Sequence, residues 1–158
     1  MVAAPYLTYD VQREGPMRKP RVVTLRCIRQ RKKDDCGVAA LAMATGRSYE
    51  HIRKIVWQRA NVVRGVRSLL TRHKDIVRIL KLKDFACERK AFTKWSALSC
   101  MSLVAVNRNK RRIYHWVVYS RGWIWDPDED RSCRSRRRDL RGLRPTGLYI
   151  QVDCNVEA

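Results

Sequence analysis

The sequence predicts an α+β domain, and three observations predict it. Helical periodicity is confined to residues 36–82 and strand-like patterns follow, the order that sets helices against an antiparallel sheet. The length, 158 residues, suits one domain rather than two. Hydrophobic residues make up 45% of the chain against a net charge of +20. That is enough for a core, because disorder couples high charge to low hydrophobicity.

Each element has its own local reason. Residues 1–20 contain Pro5, Gly15, Pro16 and Pro20 without periodicity. They read as an extended arm ahead of a single domain over residues 21–158. Residues 21–28 are rich in β-branched side chains, which predicts a short strand. The first helix begins at Cys36, with Asp34 and Asp35 as cap candidates. Its stretch GVAALAMA is apolar nearly all round, the pattern of a central buried helix. Gly46 ends it in the C′ role. Ser48 caps a second helix through about residue 59, and a third lies within residues 66–82. Residues 92–98 suggest a helical turn, and residues 101–106 a buried strand. Residues 113–120 and 123–125 form a hairpin through Arg121-Gly122, with Asp126-Pro127 ending it. Residues 148–152 offer a last strand.

The charge first suggests nucleic acid. Residues 131–144 are the most Arg-rich segment, and Arg131, Arg134, Arg136, Arg137 and Arg138 are its candidates for gripping phosphates or an acidic partner. No apolar run is long enough for a membrane span, and residues 1–8 lack the pattern of a secretory signal. Six cysteines, irregularly spaced, then read as free thiols in a reducing cytoplasm. No C-x-x-C pair is present and there are only three histidines, so no metal site and no cofactor are expected.

The chemistry concentrates in four residues: Gln30, Cys36, His115 and Asp126. A thiol attacks only as thiolate, and a helix N-terminus favours negative charge. Cys36 stands at such a terminus. His115 can serve as its imidazolium partner and protonate a leaving amine. Asp126, on the next strand, can hold the other ring nitrogen. Gln30 can donate its amide to an oxyanion beside the Cys36 N–H. His51 and His73 fall on helices among polar neighbours and read as surface residues. Trp116, Trp123 and Trp125 crowd the hairpin and read as core packing.

These residues carry a resemblance. Gln30, six residues before Cys36-Gly37 on an Ala-rich helix, then His115-Trp-Val-Val118, then Asp126-Pro127, resemble the active-site segments of papain-like cysteine peptidases. The similarity is to the branch that processes bacteriocins at double-glycine leaders. It implies a papain-like α+β fold, with the nucleophile Cys on the central N-terminal helix and an antiparallel C-terminal sheet packed on it. It implies a Cys-His-Asp triad with a Gln oxyanion donor, acting on peptides through an acyl-enzyme. Deamidation or acyl transfer would use the same residues.

The expected partner is a protein or peptide substrate of acidic character, with nucleic acid as a second partner, no membrane, and a monomeric chain. A strongly basic nucleic-acid-binding protein on the same fold is the alternative. Compactness and Arg content suit a phage-encoded protein.

Overall fold

The computed structural model describes residues 23–64, 69–128, 132–136 and 142–152. Among the described residues three helices precede all of the strands: α1 (Cys36–Thr45), α2 (Tyr49–Arg64) and α3 (His73–Leu82). The strands are β1 (Cys87–Ala91), β2 (Ser102–Val106), β3 (His115–Ser120), β4 (Trp123–Trp125), β5 (Arg134–Arg136) and β6 (Pro145–Val152). A 3₁₀ turn, Trp95–Ala97, lies between β1 and β2. The sheet runs β1-β6-β2-β3-β4-β5 with every neighbouring pair antiparallel. The last strand therefore enters the middle of the sheet, between β1 and β2. Among the described residues no helix is long and apolar enough to cross a membrane.

The sheet divides the core in two. On one face α1 to α3 pack with Leu103, Ala105, Trp116, Val118, Ile150 and Val152. On the other, Val104, Val106, Val117, Tyr119, Ile124 and Tyr149 gather under Leu98. Alternation along β2 and β3 assigns each residue to its face. All ten residues of α1 are buried, as its all-round apolar sequence predicts. Its alanines leave room for a close approach to β3, which bears Trp116. Gly46 closes the helix at φ 66°, where a residue with a Cβ is strained. Ser48 caps α2 as expected, its hydroxyl accepting the His51 N–H at 3.2 Å. Arg121 and Gly122 both take positive φ, the requirement of a tight hairpin turn.

Four expectations are corrected. Residues 23–28 pair with no strand among the described residues; Val23, Leu25 and Ile28 pack onto the helical core instead. Strands β1 and β5 were not expected. Both are edge strands, which need no apolar alternation to form, and neither has it. Asp35 stands at the N-cap of α1 but makes no side-chain cap bond. Finally, Cys27 and Cys133 form a disulfide with Cα atoms 6.0 Å apart, within the span such a bridge needs. The free thiols among the described residues are Cys36 and Cys87.

Candidate active site

Cys36 is the first residue of α1 and is buried. The loop that delivers it is built by Asp35. Its carboxylate accepts the backbone N–H groups of Arg31 at 3.1 Å and Lys32 at 3.1 Å, and the buried Tyr49 hydroxyl donates to it as well. Burial, with the Asp35 carboxylate adding to it, pushes the Tyr49 hydroxyl well above the usual phenol range. The tyrosine therefore stays a donor. Asp35 thus trades a helix cap for a loop clamp. Arg31 lies over the Tyr49 ring and pairs with Glu50, so one charge of the basic loop is engaged. Lys32 and Lys33 remain exposed.

His115 opens β3 and Asp126 follows β4. Val118 pairs with Trp125, so the end of β4 brings Asp126 alongside the start of β3. The His115 Nε2 lies 2.6 Å from the Asp126 Oδ1. The same carboxylate oxygen accepts the Asp128 N–H at 2.9 Å, which fixes its orientation. Asp126 is 2% exposed. Burial alone would drain the His115 proton. Hydrogen bonds to the Asp126 carboxylate and the Cys36 sulfur outweigh it and push the ring up to about 9. With Nε2 committed to Asp126, Nδ1 is the nitrogen left for Cys36.

Gln30 is held beside this pair. Its backbone N–H donates to the Pro127 carbonyl at 2.8 Å, one residue past Asp126. Its side-chain Oε1 is buried without a partner. The Cys27–Cys133 disulfide crosses the same two segments, and the Asp126 N–H donates to the Cys133 carbonyl at 2.8 Å. The segment bearing Gln30 and the segment bearing Asp126 are therefore covalently joined three and seven residues away from those side chains.

Gly37 explains why a glycine follows the cysteine. A Cβ there would lie 1.7 Å from the Thr71 Oγ1 and 3.1 Å from the Trp116 ring. Trp116 is fully buried and donates its indole N–H to the Thr71 carbonyl at 3.1 Å. His73 is no surface residue, contrary to the expectation for a polar helix. It packs against Trp116 and Tyr114, and its Nδ1 lies 2.9 Å from the Tyr114 hydroxyl. Sequence reasoning missed Asp35, Thr71, His73 and Tyr114. The signal for Asp35 was visible as an acid beside Cys36, but it was read as a cap.

The Arg-rich candidates are placed unevenly. Arg134 lies in β5 with its guanidinium 3.9 Å from the centre of the Trp123 ring and 5.1 Å from that of Trp125. The two tryptophans thus share a face, as the hairpin alternation requires. Arg136 is also in β5. Arg131, Arg137 and Arg138 lie outside the described residues. A separate cavity of about 890 Å³, lined by Val23, Cys27, Met43 and Phe85 among others, contains none of the four site residues.

No protein-family model and no curated protein sequence matches the chain. Solved structures do. The peptidase domain of Streptococcus ComA, a bifunctional ABC transporter involved in a quorum-sensing pathway, superimposes with a TM-score of 0.59 at 22% identity. The match covers 82% of this chain and 98% of that one. A double glycine motif protease from an AMS/PCAT transporter, solved in complex with the leader peptide, gives 0.56 at 16% identity, over 82% and 91%. The sheet and the central helix of this protein thus share the α+β, papain-like fold of those two peptidase domains.

Proposed function

We propose that this protein is a cysteine peptidase that works through an acyl-enzyme. The observation that carries the reading is His115, held 2.6 Å from the buried Asp126 carboxylate and near enough to Cys36 for the sulfur to raise its pKa. The Cys36 thiolate attacks the scissile carbonyl carbon, and the carbonyl electron pair moves onto oxygen. The Gln30 side-chain amide and the Cys36 N–H stabilise that oxyanion. When it collapses, the C–N bond breaks and the His115 Nδ1 proton passes to the leaving amine. Water then attacks the thioester while His115 takes its proton, and the thiolate leaves. Asp126 holds the ring through Nε2 and never needs to be protonated.

A peptide is the proposed substrate, in keeping with the leader peptide held by one of the similar structures. The test is cleavage of a peptide library by the wild type and by Cys36→Ala. Cleavage confined to the wild type supports the reading, and equal cleavage by both overturns it. The cytoplasm is the proposed compartment. In a reducing cytoplasm the Cys27–Cys133 bridge is open, which mass spectrometry of protein alkylated inside cells reads directly.

The charge of +20 favours nucleic-acid binding as a second reading on the same fold. Its mark is affinity that falls steeply with salt, with a log–log slope of about −0.9 per phosphate neutralised on duplex DNA.

A further inference from the structure

A concentration of positive charge lies near the start of α1 and of β3. A cleft of about 490 Å³ has Arg72, Arg108, Arg111, Arg112, His73 and Tyr114 in its walls, and no Asp or Glu lines it. The four arginines form no ion pair with an acid among the described residues. They come from two elements, the entry to α3 and the turn before β3. That turn is fixed by Asn109, whose Oδ1 accepts the N–H groups of Arg111 at 2.9 Å and Ile113 at 3.0 Å. An Asx turn of this kind holds its neighbours in place, so the guanidiniums are presented from a set backbone.

Two residues of the cleft wall neighbour residues flanking the Cys36–His115 pair. Thr71 lies in its wall and rests on Gly37, the residue after Cys36. Tyr114, also in the wall, precedes His115. Two buried polar atoms of the wall, the Thr71 Oγ1 and the His73 Nε2, have no partner. Burial and then the Arg89 charge hold the His73 ring down to about 4, so it is neutral at physiological pH. A neutral ring whose Nδ1 accepts from Tyr114 carries its proton on Nε2. That leaves a donor in want of an acceptor.

We propose that this cleft binds an acidic side chain of the peptide substrate, with the carboxylate on Arg72, Arg108 and Arg111. The assignment rests on the peptidase reading and on Thr71, which joins the cleft wall to Gly37 beside Cys36. Arginine forks match carboxylates bidentately. A volume near 490 Å³ suits a side chain or two and lacks the length of a phosphate track.

The test measures binding alone, with the Cys36→Ala protein and two fluorescein-labelled peptides, Ala-Ala-Glu-Ala-Ala-Ala and its Gln counterpart. The Glu peptide binds about ten-fold tighter or better, the gain of a charge-assisted hydrogen bond. Arg108→Ala with Arg111→Ala removes most of that difference, and so does Arg72→Ala on its own. Lys54→Ala with Lys94→Ala, two exposed lysines on other elements, removes as much charge and leaves the difference in place. Equal affinity for the two peptides overturns the proposal. So does an equal loss in both double variants, which would mean bulk charge only. Tighter binding of a single-stranded oligonucleotide through Arg108 and Arg111 would assign the cleft to nucleic acid instead. No step needs the thiol, so a wild type inert to thiol probes would refute the peptidase reading without altering this result.

Discussion

Two opposed forces meet at His115. Burial favours the neutral ring, while the Asp126 carboxylate and the Cys36 sulfur favour the imidazolium and win, pushing it up to about 9. A pKa raised on folding means stability that is full below the unfolded value, ~6.5, and is lost as pH rises through about 9. Thermal melts from pH 6 to 10 should lose on the order of 3 kcal/mol at the alkaline end in the wild type and much less in His115→Ala. Peptide cleavage should fall over the same limb, since the leaving amine takes its proton from that ring. Asp126→Asn removes the partner that outweighs burial. Its kcat should fall by about 10²–10⁴-fold, the usual worth of a positioned acid–base group, with the alkaline limb moved to lower pH. Gly37→Ala forces a Cβ into the buried Thr71 side chain and should cost about 1–3 kcal/mol as an overpacked core, measured by denaturant unfolding.

At the scale of elements, the loop before α1 and the β3–β4 hairpin place the chemistry. Asp35 holds the loop through two backbone N–H groups and Tyr49. Asp35→Ala strands a buried hydroxyl and frees those amides, a loss of about 1–3 kcal/mol in unfolding. Activity should suffer beyond that, because Cys36 and Gln30 lie at the two ends of the loop; a kcat as high as the wild type's in the folded variant would speak against the clamp. The central helix and the hairpin were legible because each is local. An all-apolar run, a two-residue turn and an Asp-Pro stop announce themselves. Edge strands β1 and β5 were not legible, because their formation depends on the neighbours β6 and β4 rather than on their own pattern. Residues 23–28 show the converse: Val23, Leu25 and Ile28 cover the helical core, and among the described residues no strand pairs with them.

Across the whole molecule, the Cys27–Cys133 bridge spans 106 residues and joins the Gln30 segment to the Asp126 segment. Spacing alone does not reveal such a pairing, since six cysteines allow 15 connectivities, and it became visible only once the fold brought the two ends together. Closing so long a loop constrains the unfolded chain, so Cys27→Ser should lower stability by about 2–4 kcal/mol, with a matching fall in the melting temperature under non-reducing conditions. An unchanged melting temperature would mean that the bridge adds nothing to the packing around it. The charge of +20 also resolves at this scale. Arg31 is tied to Glu50 and Arg134 lies on two tryptophans, whereas the arginines of the 490 Å³ cleft form no ion pair with an acid among the described residues.

The central claim is that Cys36, His115 and Asp126 act as one acyl-transfer unit, and the rate of covalent capture tests it most directly. A peptidyl vinyl sulfone is incubated with the protein at neutral pH and the intact mass is followed with time. The account predicts a single adduct on Cys36, none on Cys87, and a rate reduced by about 10²-fold or more in His115→Ala. Capture of Cys36 at the wild-type rate in His115→Ala would contradict it.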